Sequence, residues 1–79
     1  MSHTIGMIRG NREFRNLRNI DPTLPEIRIR HARDGLYWVS VKPSDDAPAA
    51  VYKRNEAAVR RLYTSMRVRA QEAAMWAAY

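Results

Sequence analysis

Residues 26–42 read EIRIRHARDGLYWVSVK, and the way this stretch is paired decides the fold. Ile27, Ile29 and His31 alternate with Arg28 and Arg30. Tyr37, Val39 and Val41 alternate with Trp38, Ser40 and Lys42. Alternation of this kind is the mark of a strand with two unlike faces, and Arg33-Asp34-Gly35 supplies turn chemistry between the two runs. A two-residue turn at Asp34-Gly35 would pair Ile29 with Ser40 and Arg30 with Val39, mixing apolar and charged side chains on both faces. A three-residue loop with Gly35 in the left-handed conformation pairs Ile29 with Val39, Ile27 with Val41 and His31 with Tyr37. The second register is the expectation, because it gathers one wholly apolar face. The other face then collects Arg28, Arg30, Trp38, Ser40 and Lys42, with Glu26 opposite Lys42 at its edge.

Outward from the hairpin, the polar loop Pro43-Ser44-Asp45-Asp46-Ala47-Pro48 leads to residues 49–54, where Val51 and Tyr52 favour a third strand. Asn55 is a helix cap with Glu56 in the first turn, and residues 55–79 contain neither Gly nor Pro. There Val59, Leu62, Met66, Ala70, Ala73 and Ala77 recur at steps of three and four, a stripe suited to packing on the apolar sheet face. A helix of that length, about 35 Å, outreaches strands of about 23 Å. Met75, Trp76 and Tyr79 therefore fall on an overhang, expected to dock on the N-terminal helix or, failing that, to support a homodimer. Upstream, Asn11 is read as the cap of a short helix over residues 11–20, with Phe14 and Leu17 on its apolar side and Arg12, Arg15 and Arg18 around the rest. Asp21-Pro22 and Leu24-Pro25 stop it. Residues 1–10, with Gly6 and Gly10 and no sustained period, are expected to form a flexible arm. The fold class is therefore α+β: a short N-terminal helix, an antiparallel sheet of two to three strands over residues 26–54, and a long C-terminal helix packed on it.

The chain has 79 residues, enough for one small domain whose stability is modest or borrowed from a partner. A hydrophobic share of 46% is too high for a disordered chain. With no cysteine there are no disulfides and no thiolate metal sites. No apolar run is long enough for a membrane span, and the opening MSHTIGMIRG lacks the apolar core of a signal peptide, so a cytoplasmic protein is expected. Lys and Arg total 14 against 8 Asp and Glu, a net charge of +6, and all of those bases but Lys42 and Lys53 are Arg. Arginine suits forked recognition of phosphate or carboxylate and stacking on rings, so a polyanionic or acidic partner is favoured over mere solubility.

Nothing in the sequence points to catalysis, and no enzyme activity, cofactor or metal is expected. His3 and His31 are the only histidines, and His31 falls beside Tyr37, where a packed, hydrogen-bonded histidine is the ordinary explanation. Asp45 and Asp46 lie between prolines in a loop, a setting that shapes turns more often than it forms an acid and base pair. No phosphate-binding loop, dinucleotide fingerprint, zinc site or calcium loop is present.

The candidate contacts are basic and aromatic. Arg28, Arg30, Trp38 and Lys42, with Lys53 or Arg54 added from the third strand, would offer forked cations to bases or phosphates and a ring for stacking. The bland alternative is a solvated face on which arginine stems cover Trp38. Arg12, Arg15 and Arg18 on the first helix, with Arg60, Arg61 and Arg67 on the last, are expected to form a second basic surface suited to a phosphate backbone. In element order, residues 26 to 70 resemble the arm-binding domains of phage-type recombinases and the plant AP2 DNA-binding domains, which share a three-stranded antiparallel sheet followed by a packed helix. That resemblance implies DNA binding through the open sheet face. The leading expectation is a small nucleic-acid-binding protein, for DNA or RNA. The alternatives are a phage-type accessory or inhibitor protein that binds an acidic surface of a nucleic-acid-handling complex, or a peripheral subunit of a large assembly.

Overall fold

The computed structural model describes the backbone of residues 2–78 and the side chains of residues 10–78. Its elements follow in the order α1 (Ser2–Ile20), β1 (Glu26–His31), β2 (Tyr37–Lys42), β3 (Ala50–Arg54) and α2 (Glu56–Ala77). The strands form one antiparallel sheet in the order β1-β2-β3, with both helices on one side of it. This is the α+β arrangement that the pattern of residues 26–79 predicts.

The hairpin register is the one that conserves the apolar face. Ile29 pairs with Val39, Ile27 with Val41 and His31 with Tyr37. Gly35 takes φ +80°, a conformation that side-chain-bearing residues rarely adopt, and the loop closes through the Ala32 N–H donating to the Leu36 carbonyl at 2.8 Å. On the helix side, Ile27, Ile29, Tyr37 and Val39 are buried around Phe14 of α1, with Val59, Leu62, Tyr63 and Met66 of α2 closing over them. Phe14 and Tyr63 meet edge to face, their ring centroids 5.4 Å apart. A second cluster, Leu17, Leu24 and Ala70, continues the seam between the helices, and Ala70 is completely buried.

Several expectations for the N-terminal region give way. The helix does not begin at Asn11: α1 runs unbroken from Ser2, so residues 2–10 are its first turns rather than an arm. Glycine costs a helix only about 1 kcal/mol each, which tertiary packing offsets, and Gly10 faces the sheet, where an added Cβ would lie 3.8 Å from Ile29. Asn11 therefore caps nothing. Instead its amide reaches β1: Oδ1 accepts from the Ile29 N–H at 2.8 Å, and Nδ2 donates to the Ile29 carbonyl at 3.0 Å. One side chain thus completes the hydrogen bonding of a residue on the sheet's outer edge. Met1 and Tyr79 lie outside the described residues, as does the side chain of His3.

At the C-terminal end Asn55 caps α2 as expected, its side chain accepting from the Ala58 N–H at 2.9 Å. Phe14 sits against Tyr63, and Leu17 and Leu24 gather at Ala70, so contacts advance in the same sense along both helices and α1 runs out near that level. Near the end of α2, Met75 and Trp76 are 62% and 77% exposed, where docking inside the domain was expected. His31, the last residue of β1, is exposed, and its ring meets that of Tyr37 edge-on at 5.3 Å. Among the described residues, no helix is long and apolar enough to cross a membrane.

Candidate nucleic-acid interface

Strand alternation turns Arg28, Arg30, Trp38, Ser40 and Lys42 away from the helices, and the register of β3 adds Val51 and Lys53 to the same face. Arg30, Trp38 and Lys53 form one row across the three strands, and Arg28, Ser40 and Val51 form the next. Lys42 stands opposite Glu26. Neither helix covers this face. Arg54 points to the helix side, its guanidinium 5.0 Å from the ring of Tyr52, so of the two cations on β3 Lys53 joins the outer face.

Trp38 occupies the centre of the outer face and is 42% exposed. The Lys53 ammonium lies 5.1 Å from its ring centroid, within reach of a cation–π contact. The same ammonium pairs with the Asp34 carboxylate in the hairpin loop. That hydrogen bond from Lys53, helped by the Leu36 N–H at 3.2 Å, holds the Asp34 carboxyl below its ordinary pKa. The loop carboxylate thus fixes Lys53 beside the indole.

The groove beside β1 brings together residues that the sequence kept apart. An open groove of about 1010 Å³ passes from α1 across β1 to Trp38, lined by Arg15, Arg18, Arg28 and Arg30. Asn11, Arg15 and Arg18 lie at helical spacing on one side of α1, and the Asn11 amide on Ile29 seats that side against the strand. Arg18 is held further by its Nε donating to the Leu24 carbonyl at 3.2 Å. The groove also contains one acid. Glu26 Oε1 accepts from Arg28 Nε at 3.1 Å and Nη2 at 2.9 Å. The hydrogen bond from Arg28, and then its charge, hold the Glu26 carboxyl below its ordinary pKa.

Of the residues proposed from sequence, Arg28, Arg30, Trp38, Lys42 and Lys53 share the outer face, and Arg15 joins Arg28, Arg30 and Trp38 in the groove. Arg12, Arg60 and Arg67 do not line it. Arg60 pairs with Glu56 one turn back along α2, at 3.3 Å. Arg18, read from the sequence as part of the helical basic surface, joins Arg15 in the groove. The helical spacing of Asn11, Arg15 and Arg18 was readable, but the strand they face was not. Among the described residues, no group of His, Cys, Asp and Glu is arranged to hold a metal ion. Comparison with protein-family models, with curated proteins and with solved structures finds no match to this chain.

Proposed function

We propose that this protein binds nucleic acid along the β1 groove and the outer sheet face, with arginines on phosphates and Trp38 against a base or sugar. The observation that supports this reading is the convergence of Arg15 and Arg18 from α1 with Arg28 and Arg30 from β1 on a groove that ends at an exposed Trp38. Such a groove follows a polyanionic backbone, and guanidinium forks match phosphate oxygens. The net charge of +6 favours encounter with any nucleic acid. No covalent step belongs to this role, and a cytoplasmic setting suits it.

Anisotropy of labelled DNA and RNA at about 50 and 200 mM salt tests the proposal, because each phosphate contact contributes roughly −0.7 to −0.9 to the slope of log K against log salt. If the groove arginines engage about four phosphates, affinity falls roughly 50- to 150-fold across that range. Absence of binding at the lower salt contradicts the proposal. A second reading, docking on a larger protein assembly, is favoured by the exposure of Met75 and Trp76 near the end of α2. Under that reading Trp76→Ala weakens the association more than any arginine substitution does.

A further inference from the structure

We infer that the ligand of this groove is single-stranded nucleic acid, an unpaired base stacking on Trp38 while its backbone runs between the arginines of α1 and those of β1. The inference rests on the nucleic-acid reading and narrows it. Trp38 lines the groove, whereas Lys53 does not. The Lys53 ammonium, paired with Asp34, lies beside the ring from the β3 side. Next to it on the outer face, Val51 is 60% exposed and also lines the groove. Trp38 and Val51 make an apolar patch bordered by Arg28 and Arg30, a floor suited to the flat face of a base rather than to a phosphate.

A duplex makes less use of such a floor. Its bases hide their faces in the stack and offer an indole face and a valine only edges and sugars. An unpaired base offers its whole face, and stacking on an aromatic side chain tolerates any sequence. Arginines from two elements line the groove, Arg15 and Arg18 from the helix and Arg28 and Arg30 from the strand, so a backbone following it meets cations along its length.

The test uses the full chain carrying Trp76→Phe, which leaves Trp38 as its only tryptophan. Single-stranded DNA and RNA oligonucleotides, and the duplex of the same sequence, are titrated at about 100 mM salt while anisotropy and indole fluorescence are followed together. The single strands are expected to quench Trp38 and to bind at least about tenfold more tightly than the duplex, with Trp38→Ala losing roughly tenfold on single strands and little on duplex. Circular dichroism of Trp38→Ala checks that the fold is kept, and Trp38→Phe restores most of the affinity if stacking is the contact. Duplex binding as tight as single-strand binding, or single-strand binding without quenching, overturns the inference and leaves the broader proposal standing. Failure of every oligonucleotide at low salt removes both.

Discussion

The two faces of one sheet divide the work of this small protein. On the helix side Ile27, Ile29, Tyr37 and Val39 are buried against Phe14. On the outer side their sequence neighbours Arg28, Arg30, Trp38 and Ser40 point away from the helical layer. Each strand thus alternates residue by residue between holding the fold and offering a contact, so substitutions one position apart should separate stability from binding.

The largest effect is expected at the centre of the helix side. Phe14→Ala removes a buried ring that contacts Tyr63, and should cost about 3–5 kcal/mol by urea denaturation. A domain of this length has only about 4–12 kcal/mol to lose. Affinity per folded molecule should stay unchanged, and a loss of binding by the folded fraction would break the division between the faces. Asn11→Ala comes next, at about 1–3 kcal/mol, because it strips both partners from the part-buried Ile29 backbone. Since Asn11 also seats Arg15 and Arg18 beside β1, this substitution should weaken binding as well, unlike Phe14→Ala.

Gly10→Ala should move stability the other way, by about 0.5–1 kcal/mol, since the added methyl meets Ile29 at ordinary contact distance and glycine is a poor helix former. The smallest effect belongs to the outer-face and loop carboxylates. Hydrogen bonds from Arg28 to Glu26, from Lys53 to Asp34 and from the Thr23 hydroxyl to Asp21 hold these carboxyls below their ordinary pKa. The folded state therefore prefers them charged. Their stabilisation is fully present above the ordinary carboxylate range near pH 4 and is lost as pH falls through the lowered folded values. Because all of them are solvent-exposed, the melting temperature should stay flat down to about pH 5 and decline only modestly below pH 4.

Much of the fold was legible because local chemistry and tertiary structure agree in its second half. The period-two runs and Gly35 specify the hairpin register, and Asn55 with its uninterrupted stripe specifies α2. The N-terminal region misled for a physical reason. Gly6 and Gly10 read as breaks, and Asn11 read as a cap, whereas its amide is engaged 18 residues away on Ile29. No local signal announces a partner so distant in sequence. The same docking creates the groove: Arg15 and Arg18 were visible as helical arginines, but their meeting with Arg28 and Arg30 depends on α1 lying along β1. Exposure of Met75 and Trp76 was hidden likewise, since it follows from where α1 ends against α2.

The most direct test of the account compares salt slopes of single-stranded oligonucleotide binding for two double variants, Arg28→Ala/Arg30→Ala and Arg12→Ala/Arg60→Ala. The pairs remove equal charge, but only the first lines the groove. The first pair should lower the slope by roughly 1.4, about 0.7 for each lost phosphate contact, and the second should leave it near the parent value. Equal losses from both pairs would mean that binding follows net charge alone, and would contradict a built groove.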